Sequence, residues 1–201
     1  MKNRGCMSAG TIGIVLLIIA AIAFFWGKSG YNNFVTKEQN VNTKWSNVET
    51  VYQKRANLIP ALENTVKSYA NFEKSTLTDV IAARSKATSV NIDPSNMTEA
   101  DMAKFQAAQG AVSGSLSRLM AVVESYPNLK ADQQYLNFQR EYTATENSIR
   151  TETVYFNAAA QDYNTSIKTF PNNILANFTN FKEKPLFKAD AGAQKAPEVF
   201  K

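Results

Sequence analysis

Residues 54–69 read KRANLIPALENTVKSY, and the reading of Pro60 within them decides the course of the chain. Proline lacks an amide proton and disfavours helix at the residue before it, yet it suits a helix's first turn. Both flanking segments are apolar at helical spacing. Upstream, Phe34, Glu38, Val41, Trp45, Val48, Tyr52, Arg55 and Ile59 alternate intervals of four and three, which places them on one face. Downstream, Leu62, Val66, Tyr69, Glu73, Leu77, Val80, Arg84 and Ala87 form a second stripe. The expected arrangement is a tight reversal at 57–60, with a second helix opening at Pro60. A single kinked helix of nearly 60 residues is the alternative.

Moving toward the N-terminus, no residue between Arg4 and Lys28 is charged. Residues 11–26 (TIGIVLLIIAAIAFFW) are dense in apolar side chains. With residues 7–10 the run reaches about 20 residues, enough at ~1.5 Å per residue to cross the hydrocarbon core. Trp26 falls where an amphipathic ring is favoured, at the interface. Ala21-Ile22-Ala23 resembles a signal-peptide cleavage site, but Phe24-Phe25-Trp26 continues the run without a polar break, which favours an uncleaved anchor. Residues 7–27 are therefore expected to meet the lipid bilayer. Lys2 and Arg4, set against Lys28 and Lys37, give a slight bias toward a cytoplasmic N-terminus and a non-cytoplasmic body. Cys6, the only cysteine, precedes the run rather than following it, which argues against a lipoprotein and leaves a free thiol near the membrane surface. Gly27, Ser29 and Gly30 suggest a short flexible joint.

Moving toward the C-terminus, residues 90–98 (VNIDPSNMT) collect loop formers. Thr98 and Asp101 form a variant capping box that opens a third helix. Its stripe is Met102, Phe105, Gln109, Val112, Leu116, Leu119, Val123 and Tyr126. Gly110 and Gly114 interrupt it, each at about 1 kcal/mol against alanine, and close approach of a neighbouring helix would rationalise them. Pro127 ends this helix. A fourth runs from about residue 131 to 169, with Pro171 as its stop and a helical turn or two at 172–178. The tail carries Phe181, Leu186, Phe187 and Phe200 among charges and is expected to pack on the body at least in part. The fold class is all-α: an N-terminal transmembrane helix, then an antiparallel four-helix bundle with an irregular C-terminal tail. The segments are 1–30 (anchor and joint), 31–178 (bundle) and 179–201 (tail).

Composition narrows function. Net charge is +5, but residues 1–30 hold three of the 22 basic residues and no acid, leaving 19 basic against 17 acidic. The basicity belongs mostly to the membrane flanks, which argues against nucleic acid as a partner. Histidine is absent. Cys/His zinc sites and the Glu-x-x-His sites of ferritin-like bundles are thereby excluded, as are Ser–His and Cys–His nucleophile pairs. No glycine-rich phosphate loop occurs. No cofactor and no catalytic residue are assigned.

Polar residues nonetheless stand on every apolar stripe, that of the fourth helix (Tyr142, Glu146, Ile149, Thr153, Phe156, Ala160, Tyr163, Ile167 and Phe170) included. Counting outward from each expected turn puts Glu38, Arg84, Gln109 and Glu146 in roughly one layer. Arg55 lies near the first turn within reach of Glu63, and Glu73 nearer the level of Trp45. A register-setting ionic network is the ordinary reading of such a layer; a functional polar seam is the sharper one. Arg55, Asn57 and Glu63 would form the polar cap of the bend, or a docking surface.

The chain resembles the LemA family of bacterial membrane-anchored helical proteins. The resemblance rests on Tyr31-Asn32, Val41…Trp45…Val48 and Arg55-x-Asn57-Leu58-Ile59-Pro60…Val66-Lys67-x-Tyr69. It continues through Glu73, Ala83-Arg84, Glu124-x-Tyr126-Pro127-x-Leu129-Lys130, Glu146-Asn147-x-Ile149, Asn157…Tyr163-Asn164, Phe170-Pro171, Ala176, Phe181 and Phe187. The chain departs from the family pattern at Asn57, Ala61, Glu152-Thr153 and Phe156. The resemblance implies a single-pass anchor on a four-helix bundle, and no active site. The function expected is a membrane-tethered scaffold or interaction module of the bacterial envelope, with other membrane or envelope proteins as partners and the oligomeric state left open. A binding module for a small ligand or lipid is the alternative.

Overall fold

The computed structural model describes residues 9–69 and 72–188. Cys6, the basic residues before it and the end of the tail lie outside them. Six helices follow in order: α1 (Ala9–Lys67), α2 (Lys74–Thr88), α3 (Glu99–Val123), α4 (Pro127–Lys130), α5 (Gln133–Lys168) and α6 (Asn172–Phe178). The described residues are helices and their connections, with no strand among them.

The expected reversal at Pro60 does not occur. α1 continues through it for 59 residues. Pro60 lies on the exposed face, so its ring meets solvent rather than core. The missing amide leaves the carbonyl of Ala56 without its helical partner. Arg84 of α2 supplies the replacement, donating from Nε to Ala56 O at 2.8 Å. The helix ends instead near Ser68, whose hydroxyl donates to Thr65 O at 2.7 Å. Phe72 then buries against Tyr126, which draws the chain back toward the core.

The expected joint at 27–30 is also helix. A Cβ on Gly30 would stand 2.7 Å from Leu175 Cδ2 of α6, so this glycine permits a close approach. Gly110 and Gly114 behave oppositely to expectation: a Cβ at either position would meet nothing within 4 Å.

Four helices build the body, and their lengths are far from similar: 59, 15, 25 and 36 residues for α1, α2, α3 and α5. α1 and α5 run antiparallel. Lys37–Asp162, Asn47–Glu152 and Lys54–Glu141 step up one helix as they step down the other. Arg118 of α3 reaches Asp79 of α2. The Thr98–Asp101 capping box opens α3 as read from sequence. Asp132 caps α5, accepting from the amides of Gln134 and Tyr135.

Two apolar clusters make the core. The distal one joins Ile59, Leu62, Val66, Leu77, Val80, Leu116, Leu119 and Phe138. The cluster nearer the anchor joins Phe34, Val41, Trp45, Val48, Phe105, Phe156, Ala160 and Tyr163. α2 is too short to cover the second cluster. The loop before α3 (Ile92, Met97) and the extended chain at 181–188 cover it instead. Phe187 lies against Trp45, Phe105 and Phe156.

Asn157 and Asn164 hold that extended chain. Asn157 exchanges two hydrogen bonds with the backbone of Phe187, and Asn164 two with that of Lys184. The spacings match. Seven helical residues rise about 10.5 Å, and three extended residues span about 10 Å.

Candidate functional site

Arg55 sits on the buried face of α1, between Val48 of one cluster and Ile59 of the other. It is 2 % exposed. A guanidinium has five donors in a fixed fork and is costly to bury unpaired. Here Nη1 donates to Ser113 Oγ at 2.6 Å and Glu146 Oε1 at 3.0 Å. Nη2 donates to Gln109 at its carbonyl (3.0 Å) and its Oε1 (2.5 Å). The Tyr52 ring centroid lies 4.9 Å from the guanidinium carbon. Arg55 thus ties α1 to α3 and α5 at the seam of the two clusters. Thr145, beside Glu146, is wholly buried, and its hydroxyl finds no partner among the described residues. Burial pushes the Tyr142 phenol up, and the Glu146 carboxylate adds to the shift.

A cleft of about 310 Å³ opens beside this network between α1, α2 and α3. Glu49, Tyr52, Arg84, Phe105 and Gln109 are among its walls. Burial raises the Glu49 carboxyl, with a smaller opposing effect from the Trp45 indole N–H. That contact is loose, since Trp45 Nε1 meets no acceptor at hydrogen-bond geometry.

A second buried cation escaped the sequence reading. Lys184 is 4 % exposed although it lies in the tail. Its Nζ pairs with Glu38 at 2.7 Å and donates to the carbonyls of Pro94 (3.0 Å) and Ser95 (2.9 Å). It also lies 6.0 Å from the Tyr163 ring centroid. Two lysines, Lys182 and Lys184, stand between Phe181 and Leu186-Phe187, and nothing local marks which of them is buried.

The expected layer is corrected accordingly. Gln109 and Glu146 meet around Arg55, which was placed at the bend. Arg84 lies at the same cleft but bonds to backbone. Glu38 is elsewhere, on Lys184. Glu73 precedes α2 and accepts from Ser75 Oγ at 2.5 Å. Glu63 pairs with Lys67 one turn on, and exposed Asn57 accepts from Gln53. With no bend at Pro60, Arg55, Asn57 and Glu63 form no common cap.

Chemically this arrangement fixes charge rather than presenting it. Both terminal nitrogens of Arg55 and the ammonium of Lys184 donate to protein acceptors. Among the described residues, no three of His, Cys, Asp or Glu gather as metal ligands would.

An all-helical body on a long apolar N-terminal helix, tied by two internal cations, defines a membrane-associated helical protein. α1 is the one described helix long and apolar enough to cross a membrane. The family model described as LemA family matches residues 44–200, and the chain belongs to that family. It is 29% identical over 202 residues to magnetosome protein MamQ 2 of Paramagnetospirillum magneticum, spanning 92% of this chain and 74% of that protein. Protein LemA of Metamycoplasma hominis is 25% identical over 177 residues, spanning 88% and 77%. Magnetosome protein MamQ of Magnetospirillum gryphiswaldense is 27% identical over 201 residues, spanning 90% and 74%.

Proposed function

We propose that this protein is a membrane-tethered scaffold of the bacterial envelope that presents a rigid helical surface to other membrane or envelope proteins, without catalysis. The observation that carries the reading is the unbroken run of α1 from the apolar segment to Lys67. From Trp26 to Lys67 the helix rises about 60 Å at 1.5 Å per residue, so the body is joined to its anchor rigidly rather than through a flexible linker. The internally satisfied charges of Arg55 and Lys184 support a structural use of polarity. The body lies on the non-cytoplasmic side in this reading, following the bias of the flanking basic residues. In-cell crosslinking with mass spectrometry tests it. Reproducible crosslinks from the exposed lysines to envelope proteins are expected; recovery of the protein alone, at native abundance, would contradict it.

The cleft beside Arg55 favours a second reading, a site for a small ligand or lipid. Tyr52 and Phe105 offer apolar faces, and Arg84 and Glu49 offer opposite charges. Native mass spectrometry of the protein extracted with its lipids distinguishes the two: a bound small molecule lost on Tyr52→Ala supports this reading and no adduct removes it.

A further inference from the structure

Among the described residues, the most exposed large apolar side chains outside the apolar run gather at one place. Phe170 is 77%, Ile174 60% and Phe178 89% exposed. They fall four residues apart along the end of α5, the Pro171 turn and α6. Leaving such a cluster in water is unfavourable, and contiguous apolar patches mark binding surfaces. What covers it follows from where it stands. The antiparallel register sets the end of α5 beside the base of the body on α1. α6 then crosses to α1, where Leu175 fills the space over Gly30. Gly30 is four residues from Trp26, about 6 Å along the helix. The bilayer's interfacial layer is about 5–8 Å deep on each side. The patch therefore stands at the height where the apolar run of α1 passes into the interface. Lys28 stands two residues beyond Trp26 on α1, where cations meet anionic headgroups, while Lys168 beside the patch pairs with Glu183.

We infer that Phe170, Ile174 and Phe178 form a second membrane contact, inserted in the interfacial layer of the bilayer that α1 crosses. One pivot becomes a footing with two points, α1 and α6, and the close seat of Leu175 on Gly30 holds them together. The inference rests on α1 lying in the membrane, not on the scaffold reading.

Environment-sensitive fluorophores test it in the full-length chain, placed in lipid nanodiscs at one chain per disc in a Cys6→Ser background. Labels go on Phe178→Cys, Ile174→Cys and, as an aqueous reference on α5, Val154→Cys. All three sites are more than half exposed, so labelling leaves the core intact. Labels at 174 and 178 are expected to emit at shorter wavelength than at 154. Headgroup-nitroxide lipid should quench them, and iodide should quench them several-fold less than the label at 154. Equal iodide quenching at all three sites overturns the inference. So does shielding without lipid quenching, or shielding only in discs holding several chains, since these assign the patch to protein contacts or a second copy. Failure of the chain to enter discs at all removes the anchor reading together with the inference.

Discussion

Arg84 Nε and Ala56 O, 2.8 Å apart, form the hydrogen bond that lets α1 pass Pro60. The acceptor is the carbonyl that proline orphans, and the donor comes from a different helix. An unsatisfied carbonyl costs about 1–3 kcal/mol when shielded from water. Arg84→Met should therefore destabilise the protein by an amount in that range. In a Pro60→Ala background the alanine amide serves Ala56, and the cost of Arg84→Met should shrink. A double-mutant cycle read by denaturation in detergent measures the coupling, expected near 1 kcal/mol. Equal cost in both backgrounds would detach Arg84 from the proline.

Arg55 should be the least replaceable polar residue in the body. Arg55→Ala leaves Glu146, Gln109 and Ser113 without their donor, for a loss of about 3–5 kcal/mol. Arg55→Lys should rescue little, because one ammonium cannot reproduce a fork bonded on two sides. Thermal unfolding of the three proteins checks both statements.

Glu49 should act in the opposite direction. Its folded-state pKa is raised by burial, so its contribution to stability is present in acid and is lost as pH rises through the raised value. At neutral pH the ionised carboxylate is a cost. Glu49→Gln should thus stabilise the protein at pH 7, and the gain should vanish in acid. A gain independent of pH would contradict the assignment.

Asp93, Asp101 and Asp132 give the acid limb. Each carboxyl is held below the usual range: Asp93 first by the Asn96 amide, Asp101 by the Thr98 hydroxyl, Asp132 by the Tyr69 hydroxyl. Their stabilisation is full above the unfolded-state value and is lost as pH falls through the lowered one. Stability should decline below about pH 4, and Asp101→Asn together with Asp132→Asn should flatten that decline.

Three of the helical glycines, Gly30, Gly110 and Gly114, should separate by environment. Gly110→Ala and Gly114→Ala add a methyl to open space and should stabilise by up to about 1 kcal/mol each. Gly30→Ala drives a methyl against Leu175 Cδ2 and should fail to give this gain. Leu175→Ala should restore it. Melting temperatures of the single and paired variants decide.

The pattern of agreement has physical causes. Thr98–Asp101, Pro127 and Pro171 mark ends of elements by local chemistry, α3 and α5 fall where periodicity placed them, and α6 is the turn or two expected after Pro171. Pro60 misled because its outcome is set by Arg84, far along the chain. Moving the turn ten residues, from about 60 to about 70, shifts every partner level on α2 by about twenty. That displacement sent Glu38 into the wrong layer and kept Arg55 out of the right one. With the true turn, Arg55, Arg84, Gln109 and Glu146 converge on one level. Gly30 misled because Leu175 of α6 fills its space. The tail was legible only as apolar. Asn157, Asn164 and Lys184 act through an extended segment whose path has no periodicity to reveal it.

The unbroken α1 is the central claim, and an electron-spin distance measurement tests it most directly. Nitroxides at Ala23→Cys and Lys67→Cys, with Cys6→Ser, would be measured in lipid nanodiscs. A continuous helix places the sites about 66 Å apart, at 1.5 Å for each of the intervening residues. A reversal at Pro60 folds Lys67 back to the level of residue 53, about 45 Å from the first label. A single narrow distribution near the longer distance is the predicted result. A peak near the shorter one would contradict the continuity through Pro60, and a broad spread would contradict the rigid passage through 27–30.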